Sequence, residues 1–255
     1  MIKQAILLAG GEGTRLRPFT CYTSKHLLPI YDKPMIFYPL KNLLLLGVET
    51  VFLVIKGAHR RQWESLFLFV DVGLEIVLVE QESPEGIPHA IVICEEFLNS
   101  QPFYLGLGDN ILLGSGLLNR FKNAVKKNPN GAVIASYTVN NPEDFGVAVT
   151  DEFGNLHSIV EKPVEHLSDQ AVVGLYAFGS DATSLAKGLK KSSRGEYEIA
   201  DLINLYIQKG CCEILVCDTA TDYWLDTGTI HGINSASSFI RELHLSGRKD
   251  IGSFE

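Results

Sequence analysis

The sequence lacks several features that would direct it to particular classes of protein. No run approaches the ~18 consecutive apolar residues that a membrane-spanning helix needs. The N-terminus starts in a strand-like run, with no basic stretch leading into a signal-peptide core. Positive charge is scarce, with 22 lysines and arginines against 30 acidic residues and a net charge of −8. We therefore expect neither a nucleic-acid partner nor a membrane partner.

Cysteine is sparse, and its spacing suits neither zinc nor a disulfide framework. The number is odd, and the positions are Cys21, Cys94, Cys211, Cys212 and Cys217. We interpret them as packed or surface thiols, which favours a reducing, cytoplasmic location. No Ser/His/Asp or Cys/His arrangement for nucleophilic catalysis stands out, so any chemistry has to rest on other groups.

Short apolar runs alternate with helical segments through the first half of the chain. The pattern predicts strands at residues 2–9, 50–55, 74–79 and 103–107 and helices at 34–46, 60–69 and 87–97. This alternation predicts an α/β fold, with a Rossmann-like, mostly parallel sheet flanked by helices. Such sheets bind ligands beyond the carboxyl ends of their strands. Gly10-Gly11 and Gly108-Asp109 both fall at that edge.

The second half has a different pattern, with several strands and little helix between them. Strands are predicted at residues 132–137, 146–150, 156–160 and 172–178, and helices at 197–207 and 229–243. Gly154-Asn155 is a hairpin-type turn signal between two of these strands. We expect a mixed or antiparallel extension of the sheet, within one domain spanning residues 1–255.

A glycine-rich segment, LAGGEGTRLRP, follows the first predicted strand from Leu8. It is not a dinucleotide fingerprint, because Leu16 stands where the third glycine is needed, and it is not a Walker A loop, because Thr14-Arg15 follow Gly13. Glycines after a strand let backbone N–H groups cradle an anion, and Arg15 and Lys25 would add positive charge. The alternative is a tight turn with solvated basic residues.

Further blocks follow this loop in a fixed order along nearly the whole chain. They are Ser24–Ile30, Asp32–Ile36, Gln81, Gly86, Leu107–Asn110, Phe145–Val147, Glu161–Pro163, Val173–Tyr176, Arg194–Glu196 and Trp224–Gly228. Together with the glycine loop, this collinear series resembles the sugar nucleotidylyltransferases. Within them it looks most like the glucose-1-phosphate thymidylyltransferases.

The resemblance implies a nucleotide half at about residues 1–130 and a sugar half at about 131–255. The implied nucleotide-binding residues are Leu8, Gly10, Gly11, Gly13, Thr14, Arg15, Lys25, His26, Gln81, Gly86 and Asp109. The implied sugar-phosphate-binding residues are Leu107, Gly146, Glu161, Lys162, Val173, Glu196 and Trp224. Asp109 and Asp226 would hold Mg²⁺, and the catalytic set would be Arg15, Lys25, Asp109 and Lys162. Taken singly, each has an ordinary structural alternative, such as a turn aspartate or a helix cap.

The implied reaction joins dTTP and glucose 1-phosphate, giving a dTDP-sugar and pyrophosphate. UTP is the alternative triphosphate, because it differs from dTTP only by one methyl group and the 2′-OH, and a pocket gains only ~1–3 kcal/mol from a methyl group. A non-catalytic nucleotide-binding module is the alternative of another class. His26 departs from the glutamine common at this position in the longer thymidylyltransferases. We also expect no C-terminal regulatory segment of the kind those enzymes carry, and the sequence leaves homo-oligomerisation open.

Overall fold

The computed structural model of the chain describes residues 2–114 and 116–247. The strands are β1 Gln4–Ala9, β2 Pro29–Ile30, β3 Lys33–Pro34, β4 Thr50–Ile55, β5 Glu75–Glu80, β6 Phe103–Leu107, β7 Asn110–Gly114, β8 Ala132–Thr138, β9 Gly146–Thr150, β10 Leu156–Glu161, β11 Gln170–Phe178, β12 Cys212–Val216 and β13 Asp222–Asp226. The helices are α1 Phe37–Leu46, α2 Arg60–Phe69, α3 Ile87–Ile93, α4 Glu95–Leu98, α5 Leu117–Lys127, α6 Ala182–Lys187, α7 Ile199–Gln208 and α8 Ile230–Leu245.

The α/β class predicted from the sequence is confirmed, and most predicted elements are present within a few residues of their expected bounds. Two helix predictions need correction. The first helix begins at Phe37, because Lys33–Pro34 pairs with Pro29–Ile30 in a short antiparallel ribbon. The helix predicted at 87–97 is two helices that meet at Cys94.

The chain forms two compact units, each assembled from separated stretches of sequence. The β1 unit contains Lys3–Glu82, Gly106–Leu113 and the described residues 223–247. The β8 unit contains chiefly Ser83–Leu105 and Gly114–Asp222. Each unit therefore depends on residues that are far apart in the sequence.

Parallel strands form the sheet of the β1 unit. The strand β1 pairs in parallel with β4, and β4 with β5, while the end of β6 lies on the other side of β1. The interior strands β1 and β4 are buried along most of their length, as expected for strands covered on both faces. Both β1 and β6 end at the same edge, where Gly108 N donates to the carbonyl of Leu8 at 2.9 Å.

Antiparallel pairing dominates the β8 unit. The strand β11 pairs antiparallel with β8 and β9, and β9 pairs antiparallel with β10. The turn between β9 and β10 contains Gly154 at φ 83°, where the hairpin signal predicted it. The antiparallel extension is thus present, with β12 added in parallel beside β8. None of the described helices is long and apolar enough to cross a lipid bilayer.

Candidate active site

The structure divides the predicted site residues between the two units. The β1 unit holds Leu8, Gly10, Gly11, Gly13, Thr14, Arg15, Lys25, His26, Gln81, Leu107, Asp109, Trp224 and Asp226. The β8 unit holds Gly86, Gly146, Glu161, Lys162, Val173 and Glu196. Leu107 and Trp224, which the sequence assigned to the sugar phosphate, therefore belong to the same unit as most of the nucleotide residues.

The glycine loop leaves β1 at Ala9 and packs closely against its neighbours. A side-chain carbon at Gly10 would lie 3.5 Å from the amide oxygen of Gln81, and one at Gly11 would lie 3.5 Å from the Lys25 amine. Gly13 has φ 61°, and its carbonyl accepts a hydrogen bond from Thr20 at 2.7 Å. The loop thus keeps its backbone within reach of two side chains predicted to bind the nucleotide.

Lys25 and Asp109 form an ion pair beside this loop. Asn110 also donates to the Asp109 carboxylate, at 3.2 Å. Burial alone would raise the pKa of Asp109, but the charge of Lys25, the neighbouring His26 and the hydrogen bonds from Lys25 and Asn110 together outweigh burial, and the pKa falls to about 2. Asp109 is therefore ionised throughout the neutral range.

Asp226 reaches the same cluster through the pairing of β7 with β13. Thr227 Oγ1 donates to the Asp109 carbonyl at 2.6 Å, and the Trp224 indole N–H donates to Asn110 Oδ1 at 2.8 Å across 114 positions of sequence. Burial raises the pKa of Asp226, and the negative charge of Asp109 adds to this effect. The two carboxylates predicted to hold a metal are thus close enough to repel each other.

Arg15 and Lys162 carry positive charge that no carboxylate in the described chain neutralises by an ion pair. A side-chain carbon at Gly228 would lie 3.2 Å from the Arg15 guanidinium and 3.3 Å from the Asp226 carboxylate, so Arg15 and Asp226 flank this glycine. Lys162 is solvent-exposed, and its backbone is held at φ 43° while its N–H donates to the Phe145 carbonyl at 2.9 Å. Non-glycine residues rarely adopt this conformation outside functional sites and turns.

His26 and Gln81 are both buried in the β1 unit, at 2% and 7% exposure. The His26 Nδ1 lies 3.1 Å from the Ser24 hydroxyl. Burial lowers the pKa of His26 to about 3, and the charge of Lys25 acts in the same direction. The ring is therefore neutral at physiological pH.

Gly86 stands in the β8 unit, just before α3. Its backbone has φ 105° and ψ 168°, which only glycine tolerates. A side-chain carbon there would overlap the backbone carbonyl of Tyr197, while Tyr197 N donates to the Glu85 carbonyl at 2.9 Å. Glycine is thus required at this position for two independent reasons.

Glu161 lies at the end of β10 within a cluster of charged side chains. Arg194 bonds Glu161 at 3.3 Å and Glu198 at 3.4 Å, and lies 3.8 Å from Glu196. A side-chain carbon at Gly146 would lie 3.2 Å from the Glu161 carboxylate. Burial raises the pKa of Glu161, and the charge of Glu198 adds to the rise against the opposing effect of Arg194.

Several contributing residues were not assigned roles from the sequence. Arg194 and buried Glu198 complete the Glu161 cluster, and Asn110 and Thr227 join the turn that carries Asp109 to the strand that carries Asp226. Arg194, Asn110 and Thr227 stand inside the blocks that carry the resemblance, so a signal for them was present. Val173 is fully buried in β11, so the structure exposes no part of this residue to a ligand.

Comparisons with known proteins show the family of this chain. The profile of a family described as Nucleotidyl transferase matches residues 4–242. The Neisseria gonorrhoeae protein named glucose-1-phosphate thymidylyltransferase is 40% identical over 97% of this chain and 88% of its own length. The protein of that name from Mycolicibacterium smegmatis is 38% identical over 99% of this chain and 87% of its own.

Solved structures show the same relation. A protein of Bacillus anthracis, named a glucose-1-phosphate thymidylyltransferase and solved with sucrose, superposes with a TM-score of 0.86 at 31% identity, covering 95% of this chain and 96% of its own. A UDP-glucose pyrophosphorylase solved with UDP-glucose superposes with a TM-score of 0.83 at 25% identity, covering 95% and 99%.

Proposed function

Because this chain belongs to the nucleotidyl transferase family, we propose that it joins dTTP and glucose 1-phosphate into dTDP-glucose and releases pyrophosphate. The observation that carries the proposal is the cluster of Arg15, Lys25, Asp109 and Asp226 around the glycine loop. A binding module without catalysis would have no need to retain this set of charges.

The reaction requires two polyanions to meet in line. The phosphate of the sugar phosphate is already an anion at neutral pH, so no general base has to create the nucleophile. Arg15 and the N–H groups of the glycine loop hold the triphosphate, and Lys25 stabilises the negative charge that shifts to the leaving pyrophosphate. Lys162 neutralises and orients the phosphate of the sugar phosphate, which its free, exposed ammonium supports.

Mg²⁺ is the metal that the donor set fits. Asp109 and Asp226 provide two hard oxygen ligands, and their mutual repulsion is relieved by a cation between them. The described residues contain no group of three or more metal-binding side chains, so phosphate and water oxygens complete the coordination in this proposal. The bound ion would neutralise negative charge on the phosphates as it shifts to the leaving pyrophosphate.

In this proposal, different residues bind the base and the sugar. Gln81 and the backbone beside Gly86 bind the pyrimidine, with Leu8, Gly10, Gly13 and Thr14 shaping the loop around the nucleotide. Glu161 accepts hydrogen bonds from sugar hydroxyls, and Gly146, Val173, Glu196, Leu107 and Trp224 complete the sugar side. The division at about residue 130 stays a prediction.

A cytoplasmic location is part of the proposal. It is supported by Cys21, Cys94, Cys211, Cys212 and Cys217, all of which are free thiols, as expected in a reducing compartment. Homo-oligomerisation stays a prediction that a measurement of mass in solution would settle.

The test is an assay of pyrophosphate release. Purified protein is incubated with Mg²⁺, glucose 1-phosphate and dTTP, UTP, CTP, ATP or GTP in separate reactions. We expect the highest rate with dTTP, and we expect Asp226→Asn to lose most of it, by about 100-fold or more. Glu242→Gln, an exposed change on α8, serves as the matched control with an unchanged rate.

Either of two results would overturn a part of this proposal. A rate with UTP equal to or above that with dTTP would assign the chain to UDP-sugar synthesis instead. No pyrophosphate release with any triphosphate, across several sugar 1-phosphates, would leave a nucleotide-binding module.

A further inference from the structure

His26 is buried between the end of β1, where the glycine loop begins, and Gly108, which precedes Asp109. Its ring lies against Gly108, since a side-chain carbon there would come within 2.7 Å of His26 Cδ2 and equally close to the Leu8 carbonyl. The Ala9 carbonyl, at the start of the glycine loop, also faces the ring as a hydrogen-bond acceptor. The imidazole therefore touches the end of β1 on one side and the residue before Asp109 on the other.

The neighbouring side chain points into the site from the same short turn. Lys25, His26 and Leu27 form one 3₁₀ turn, in which Lys25 crosses Gly11 and reaches Asp109. The backbone of this turn is tied down as well, because Ile36 N donates to the His26 carbonyl at 3.0 Å. A change in the size or bonding of the buried ring would thus displace Lys25 relative to both Gly11 and Asp109.

The environment of His26 does not match that of a residue that reads a base. Its exposure is 2%, and Ser24 Oγ lies 3.1 Å from its Nδ1, with the Ala9 carbonyl as a further partner. A buried polar ring with its hydrogen bonds made inside the protein contributes rigidity, since losing either partner leaves a buried polar atom unsatisfied.

We propose that His26 is a positioning residue that sets the Lys25–Asp109 pair against the glycine loop, in place of the direct nucleotide contact that the sequence suggested. The inference rests on the proposed nucleotidyl transfer, because Lys25 and Asp109 act in that reaction. It predicts that His26 governs the rate of transfer and has no part in the choice of base.

The test compares His26→Phe, which keeps a ring and loses both hydrogen bonds, with His26→Gln, which keeps a donor and an acceptor. We expect His26→Phe to lower kcat by about 100-fold, since a displacement near 1 Å costs about that much. The ratio of kcat/KM for dTTP to that for dUTP should stay within about twofold. We expect His26→Gln to recover most of the rate, and His166→Phe, an exposed histidine with a side chain 64% accessible, to be unchanged.

A double-mutant cycle distinguishes a role of His26 in positioning Lys25 from a role in the stability of the fold. Combining His26→Phe with Lys25→Met should cost much less than the product of the two single effects, because both act through the same ammonium. Fully multiplicative effects would overturn the positioning role. A change of more than tenfold in the dTTP to dUTP ratio would show direct contact with the base.

A measurement on the unaltered protein covers the case in which His26→Phe does not fold. With ¹⁵N-labelled histidine, binding of dTTP and of dUTP should move the His26 ring signal equally, because the ring senses the phosphate side alone. Different shifts for the two would overturn the proposal. Wild-type protein that releases no pyrophosphate at all would instead be a failure of the proposed function.

Discussion

At the scale of single residues, Glu161 is a carboxylate whose charge is opposed by burial. Its carboxylate shares Arg194 with Glu198 and has a raised pKa. A raised pKa of a carboxyl group means that the native state holds its proton more firmly than the unfolded state does. The cost in stability therefore develops as the pH rises from the unfolded to the folded pKa, and it is present in full above the folded value.

We expect Glu161→Gln to raise Tm at pH 7.5, because it removes this charge while its amide oxygen can still accept from Arg194. The gain in Tm should shrink as the pH falls toward 4, where protonation of Glu161 has the same effect in the wild type. Calorimetry at several pH values measures this, with Glu152→Gln in an exposed turn as control. An equal gain at both ends of the pH range would contradict the assignment. The same variant should raise KM for glucose 1-phosphate, because the proposed site uses the Glu161 carboxylate to bind the sugar.

The sequence allowed roles to be predicted for residues whose side-chain type restricts the chemistry that they can perform. Asp109 and Asp226 were expected to hold a metal together. The charge of Asp109 raises the pKa of Asp226 in the structure, and their role as metal ligands stays a prediction. The burial of a side chain could not be predicted from the sequence in the same way, because it depends on what packs around that side chain. His26 and Glu198 illustrate this, since nothing next to them in the sequence says that they are buried.

At the scale of elements, the turn before α3 depends on a glycine for both its dihedral angles and its space. We expect Gly86→Ala to lower Tm and to raise KM for dTTP by about tenfold, because the turn must shift away from Tyr197. Gly154→Ala is a matched control, because Gly154 also has a positive φ but has no atom within 4 Å of the added carbon. It should cost only about 1 kcal/mol of strain and leave KM unchanged. Equal effects of the two changes on Tm and KM would show that close packing at Gly86 has no role.

Elements differ in how far the sequence predicts them. The strand bounds of β4 and β6 were predicted to the residue, since both are short apolar runs between clear breaks. The prediction omitted α5, although its buried Leu117, Phe121 and Ala124 recur at helical spacing. The pairing of β7 with β13 could not be predicted, because it joins segments that have no local relation in sequence.

At the scale of the whole molecule, ligand binding should raise the free energy of unfolding. We expect dTTP with Mg²⁺ at a hundred times its Kd to raise the unfolding free energy by about 2.7 kcal/mol. For a chain of this size each kcal/mol moves Tm by about 2–4 °C. Chelation of the metal, or Asp226→Asn, should remove most of this shift in a thermal melt. A full shift from dTTP in the presence of a chelator would contradict a role for the metal in binding.

The two units are built from alternating stretches of the sequence, and this order has a consequence for folding during synthesis on the ribosome. The β1 unit begins at Lys3 but needs Tyr223 and the residues after it, whereas the β8 unit is complete at Asp222. The unit that holds nearly all of the first 82 residues is therefore completed last, against the usual order in which N-terminal parts of a nascent chain fold first. A nascent chain stalled before Asp226 would carry the glycine loop and Asp109 without the second carboxylate. Prematurely terminated products would thus lack one of the two carboxylates that the proposed metal site requires.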